Sequence, residues 1–182
     1  SSMYSTEKGM KKLYTRGNGV EGQDISYMIP YLELPEKENI TIRGELIMTK
    51  KIFNEKYKSI AANARNLVAG IFNRKKINPD EIRLVNFVAY EVIEPQLSPS
   101  KQMDLLDKIN VITVIHETVK DVTNESLSET LIRWRESYAY EIDGIICAND
   151  KVYERKKGNP KHAFAFKMVL SEQVVEAKVV DV

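Results

Sequence analysis

The stretch from Ile40 to Met48 constrains this chain more than any other. Ile40, Ile42, Gly44, Leu46 and Met48 fall on one side of an extended chain, and Thr41, Arg43, Glu45 and Ile47 on the other. A period of two belongs to a half-buried β-strand, because successive side chains leave a strand on opposite faces. Arg43 and Glu45 therefore point the same way, beside one another, from a strand whose opposite face is apolar. Such a strand needs a sheet to sit in and an apolar layer to cover it.

The remaining elements are of both kinds. Lys12 to Arg16 reads as the end of a strand entering a turn at Gly17-Asn18-Gly19, where glycines permit positive φ. Lys51 to Tyr57 and Ala61 to Asn73 read as helices, and Leu84 to Ile93 as a strand rich in β-branched and aromatic residues. Pro99 to Ile109 is an amphipathic helix, followed by a short strand at Val111 to Ile115. Ser126 and Glu129 form a capping-box pattern before a helix that carries Leu127, Leu131, Trp134 and Tyr138 on one stripe. Ile142 to Cys147, Ala163 to Leu170 and Val174 to Val180 read as strands. Without a regular βαβ alternation, the pattern predicts an α+β fold with largely antiparallel sheets flanked by helices.

Composition narrows the function classes. A chain of 182 residues can bury one good-sized core. Its formal net charge is +1, so it lacks the basic surplus usual in a protein that grips DNA unaided. Its basic residues do cluster, at Lys50, Lys51, Lys56 and Lys58, at Arg74, Lys75 and Lys76, and at Arg155, Lys156, Lys157 and Lys161; such runs are most often solvated faces. Cys147 has no cysteine to pair with, which favours a reducing, cytoplasmic setting over secretion. One cysteine and two histidines make no usual zinc site. No apolar run reaches the roughly 20 residues that span a bilayer, so no membrane is expected as a partner.

No phosphate-binding glycine loop, nucleophile elbow or histidine metal pair is present. What remains is polar residues in strand contexts. Thr15-Arg16-Gly17-Asn18-Gly19 sets an arginine beside flexible backbone, and Arg43-Gly44-Glu45 sets a carboxylate beside a glycine that lets another group come close. Glu141-Ile142-Asp143-Gly144 is an acidic turn before an apolar strand, and Ala163-Phe164-Ala165-Phe166-Lys167 alternates until its lysine. Singly, each reads as readily as a turn, a surface ion pair or an edge-strand lysine.

In this order, however, they form a series that resembles the adenylation (nucleotidyltransferase) domain of NAD-dependent DNA ligases over nearly the whole chain. Residues 15–25 resemble the family's TRGDGxxGEDVT, with Asn18 for the aspartate. Arg43-Gly44-Glu45 resembles its RGE strand. Asn63-Ala64-Arg65-Asn66 with Ala69-Gly70 resembles NPRNxAAG, with Ala64 for the proline. Arg83-Leu84, Phe87 and Tyr90 fit the strand that follows, Glu141 to Ile146 resembles EIDGVV, and Ala163 to Met168 resembles the AYKF strand.

The resemblance implies nucleotidyl transfer. A lysine in Lys-x-Asp-Gly attacks the α-phosphate of NAD, the AMP donor, and releases nicotinamide mononucleotide. AMP then passes to the 5′-phosphate of nicked duplex DNA, and the 3′-hydroxyl displaces it. Such transfer wants fixed cations and Mg²⁺ around the phosphate. By similarity, Lys167, Glu45 and Arg16 would act in catalysis: Lys167 on the α-phosphate, Glu45 on the ribose hydroxyls, Arg16 on the ribose or the nick. Asp143 and Gly144 would join them in shaping the nucleotide site, with Asp143 near the metal, whose ligands the sequence does not assign. Arg65 and Arg135 would hold phosphates of DNA or of the leaving nucleotide.

Two departures from the family stand out. This chain has no Lys-x-Asp-Gly; in the family that motif shortly precedes a stretch like Ser1 to Gly9. Where DGVVIK ends in a phosphate-contacting lysine, this chain has Ala148. The chain by itself is therefore expected not to take AMP covalently. Three arrangements fit: a fragment of a longer ligase, a subunit whose lysine strand comes from a separate polypeptide, or a degenerate relative that binds nucleotide or DNA without catalysis. Residues 1–173 would be a partial adenylation domain and 174–182 a connector toward an OB domain. Loss of the lysine strand is expected to leave an open sheet edge. An ATP-using relative such as an RNA ligase is disfavoured by the TRG-x-G, RGE and N-x-RN series.

Overall fold

The computed structural model describes residues 1–16, 22–74, 76–153 and 163–167. The Gly17-Asn18-Gly19 turn, residues 168–170 of the strand expected at Ala163 to Leu170 and the strand expected at Val174 to Val180 lie outside the described residues. The chain divides into two compact units, 1–118 with 150–153 and 119–149 with 163–167 among the described residues.

The first unit is built on β1 (Ser2–Glu7), β2 (Met10–Thr15), β3 (Gln23–Asp24), β4 (Ile40–Ile47), β5 (Asn86–Glu94) and β6 (Ile112–Thr113). These stand side by side in the order β3-β2-β1-β4-β5-β6. All neighbours are antiparallel except β5 and β6. The hairpin joining β1 to β2 turns on Lys8 (φ 50°) and Gly9 (φ 80°), the positive-φ pair that matches the twist of flanking strands. β1 is paired on both sides, with β2 and with β4, so β1 itself presents no open edge.

The alternation in β4 is realised: Ile40, Ile42, Leu46 and, just past the strand, Met48 are buried, whereas Arg43 is half-buried and Glu45 exposed. The buried side joins Tyr4, Leu13, Phe87, Ala89 and Val92 in one apolar core. Helices α1 (Lys50–Lys56), α2 (Ala64–Asn73), α3 (Pro79–Ile82) and α4 (Pro99–Lys108) accompany the sheet. α2 presses Leu67, Val68, Ile71 and Phe72 into this core, and α4 contributes Leu106. α2 begins at Ala64, not at Ala61, because the Asn63 side chain accepts a hydrogen bond from the Asn66 N–H at 2.8 Å and so caps it. Ala64 then holds the first helical position, where the family's proline is also favoured.

The second unit holds α5 (Asn124–Ser137), β7 (Ile145–Ala148) and β8 (Ala163–Phe166), the two strands pairing antiparallel. Its core is small: Leu127, Leu131 and Ile145 are buried, with Trp134, Ile142, Cys147 and Phe166 packed against them. The capping box is formed by Thr123 and Ser126, not by Ser126 and Glu129. Thr123 takes the Ser126 N–H at 3.0 Å while the Ser126 hydroxyl accepts from the Thr123 N–H at 2.9 Å, which adds a turn to the front of the expected helix. The expected strand at Ile142 starts only at Ile145, because Ile142 to Gly144 is held outside the ladder.

Candidate nucleotide-transfer site

In the first unit the polar residues gather where β4 meets β5. Arg43 pairs with Glu91 and Gly44 with Ala89, so Tyr90 is an extra residue on β5, a β-bulge. The bulge allows a tight approach: a Cβ on Gly44 would lie 2.5 Å from the Val88 carbonyl oxygen and 2.8 Å from Phe87 Cζ. Gly44 is thus the residue that lets the flanking Arg43 and Glu45 sit this close to β5. Arg43 Nη1 donates to Glu91 Oε2 at 3.4 Å, anchoring the guanidinium across the two strands. Tyr90 is half-buried, and its phenol is pushed up first by that burial and then by the carboxylate of Glu45, with Arg43 opposing. A Glu45 carboxylate oxygen lies 3.4 Å from the Ser1 backbone nitrogen. Arg43, Glu45, Tyr90 and Glu91 thus make one polar cluster. Tyr90 and Glu91 were not among the expected site residues; the bulge that brings Tyr90 beside Glu45 leaves no mark in a strand pattern.

Arg16 follows β2, exposed, with its backbone N–H donating to the Ser1 carbonyl at 3.0 Å. Arg65 is exposed in the first turn of α2, just inside the Asn63 cap.

The second unit brings together Arg135, Asp143, Gly144 and Lys167. Arg135 leaves the last turn of α5, where a cation suits the helix dipole. Its Nε donates to the Ile142 carbonyl at 3.3 Å and an Nη to the Asp143 carbonyl at 2.9 Å. The resemblance assigns Arg135 to a phosphate of DNA or of the leaving nucleotide; in the structure its guanidinium donates to two backbone carbonyls of its own unit. A Cβ on Gly144 would lie 2.5 Å from the Phe166 carbonyl oxygen and 2.7 Å from Lys167 Cγ, so the Lys167 stem rests on the glycine. Asp143 and Lys167 are exposed.

The ladder Ile146↔Ala165 and Ala148↔Ala163 puts Ile146, Ala148, Ala163 and Ala165 on one face of the hairpin. Continuing that alternation places Gly144 and Lys167 on the same face. Ala148 is four residues from Gly144, about 13 Å along the strand. Cys147, on the opposite face and packed against α5, has its thiol pushed up by burial.

Among the described residues no group of three or more His, Cys, Asp or Glu could hold a metal ion, and no helix is long and apolar enough to cross a membrane.

A family model described as the NAD-dependent DNA ligase adenylation domain matches residues 1–170. The chain belongs to that family. It is 38% identical over 176 residues to the DNA ligase of Acanthamoeba polyphaga mimivirus, covering 92% of this chain and 28% of that protein. It is 37% identical over 182 residues to the putative DNA ligase 205R of Invertebrate iridescent virus 6, covering 92% and 29%. It is 31% identical over 187 residues to the DNA ligase of Anoxybacillus flavithermus, covering 89% and 28%. The adenylation domain thus spans less than a third of the curated relatives it matches. The mixed fold with a mostly antiparallel sheet agrees with the α+β expectation.

Proposed function

We propose that this adenylation domain handles AMP for a ligase that takes it from NAD and seals nicks in duplex DNA. The observation that carries the reading is Lys167 laid against Gly144 beside Asp143, in a family whose chemistry is AMP transfer. Lys167 meets the α-phosphate. Charge builds on the phosphate as it transfers, and a fixed ammonium stabilises that charge more than the ground state. Glu45 accepts from the ribose hydroxyls, its β4 position set by the close approach at Gly44. Arg16 serves the ribose or the nick, and Arg65 a DNA phosphate or the leaving nucleotide.

Mg²⁺ binds through one or two carboxylates plus substrate phosphates and keeps several waters. The exposed Asp143 fits that mode, and the described residues offer no cage of three acids. Bound there, the metal would neutralise phosphate charge.

The 182 residues contain no Lys-x-Asp-Gly, so the chain by itself takes no covalent AMP. The test is a ligase polypeptide in which this chain follows a Lys-x-Asp-Gly strand and, further upstream, the helical segment that in the family binds the nicotinamide mononucleotide half of NAD. Lys167→Ala should slow its AMP transfer by about 10²- to 10³-fold, the size of one lost charge-stabilising donor; transfer at the unmodified rate would remove Lys167 from the chemistry.

Ala148 supports a second reading. Among the described residues Lys167 is the one ammonium on its face of the β7–β8 hairpin. A domain short of that charge would hold nicked DNA without sealing it, with steep salt dependence and no response to NAD.

A further inference from the structure

We infer that Arg135 is a positioning residue for Lys167 rather than a phosphate ligand. The guanidinium forks onto two consecutive carbonyls, of Ile142 and Asp143, at 3.3 and 2.9 Å. Those bonds fix the peptide planes on either side of Asp143, just before the chain enters β7. The next residue, Gly144, has no room for a Cβ against the Phe166 carbonyl and Lys167 Cγ. Any rotation of the 142–144 backbone is therefore transmitted directly to the Lys167 stem. α5 supplies the rigid base, since Leu131 and Trp134 beside Arg135 sit in the unit's core. The order of contact runs from α5 through Arg135, to the carbonyls, to Gly144, to Lys167.

Lysine cannot take over this task. An ammonium is a point charge, whereas a planar guanidinium holds two acceptors in fixed directions. A phosphate ligand would behave differently, because Arg135→Lys would keep most of the attraction.

The functional consequence rests on the proposal that Lys167 meets the AMP phosphate, so the experiment reads position and binding separately. Arg135→Gln, Arg135→Lys and Gly144→Ala are compared with the unmodified 182-residue chain. Nuclear magnetic resonance follows the Gly144 amide and the Lys167 side-chain carbons. Titrations follow AMP, and nicked duplex DNA across a salt series. Arg135→Gln and Arg135→Lys should both displace the Gly144 and Lys167 signals and weaken AMP binding about tenfold, with the salt slope for DNA unchanged. Gly144→Ala should displace the Lys167 signals while Arg135 stays in place, which keeps the inference testable if Arg135→Gln fails to fold. Unmoved Gly144 and Lys167 signals in the Arg135 variants would overturn it. So would a DNA salt slope that falls by about 0.9, one phosphate's worth, and is restored by lysine. If the unmodified chain binds no AMP, the reading of Lys167 fails, while the resonance shifts still decide whether Arg135 sets its position.

Discussion

Gly44 and Val88 approach so closely that a Cβ on the glycine would lie 2.5 Å from the valine's carbonyl oxygen. The obstruction is backbone, which cannot swing aside as a side chain could. Gly44→Ala should therefore destabilise the first unit by about 1–3 kcal/mol, as overpacked cores are. Urea unfolding followed by far-ultraviolet circular dichroism checks this; an unchanged midpoint would show that β5 can yield at its bulge.

Leu131 is fully buried in a small core, so Leu131→Ala should cost about 2–5 kcal/mol. Trp134, the chain's one tryptophan, packs against that core and reports on it. Its fluorescence transition should move to lower urea.

Thr123 should be worth about 1 kcal/mol as the cap of α5. Thr123→Ala lowers the thermal midpoint and Thr123→Ser leaves it nearly unchanged. If Ser126 and Glu129 capped the helix instead, Thr123→Ala would be silent.

Asp150 carries a pH dependence. Its Oδ1 accepts from the Ser100 N–H at 2.8 Å at the start of α4, and hydrogen bonding from Ser100 holds its carboxyl below the usual carboxylate range. A depressed folded-state pKa stabilises above the unfolded-state value, near 3.9, and that stability is lost as pH falls through the folded-state value. Asp150→Ala should therefore be slightly less stable than the unmodified chain at neutral pH, by no more than about 0.5 kcal/mol, because solvent screens an exposed carboxylate. The gap should begin to narrow as pH falls below about 4 and vanish once pH is below the depressed folded-state value; one that persists when both states are protonated would assign the effect to something other than the carboxylate.

Ala148→Lys returns an ammonium to the face that carries Lys167. In a ligase polypeptide with the Lys-x-Asp-Gly strand, AMP transfer should quicken at least about tenfold, roughly 1.4 kcal/mol. No gain would mean that Lys167 and the metal already neutralise the phosphate.

What the sequence disclosed divides along physical lines. β4 was legible because burial on one face writes a period of two into Ile40 to Met48. The sequence misplaces the start of α5 because Ser126/Glu129 fits the Ser/Thr-x-x-Glu/Gln pattern, whereas the box that forms has Ser126 in the place of the acid. α2 was drawn too long because Ala61 and Ala62 favour helix, while the Asn63 side chain ends the competition. Glu45 and Lys167 are singled out by motifs alone. The Arg43–Glu91 pair, the approach of Tyr90 to Glu45 and the bonds of Arg135 to backbone carbonyls are not, since a bulge and a guanidinium–carbonyl bond leave no periodic trace.

The most direct measurement of the central claim is intact mass after incubation with Mg²⁺ and either NAD or ATP. It is made on the 182-residue chain and on a polypeptide that adds the Lys-x-Asp-Gly strand and the nicotinamide-binding segment. The account predicts one AMP on the longer protein with NAD, none with ATP, and none on the chain by itself. No AMP on the longer protein with NAD, or AMP gained from ATP, would contradict it.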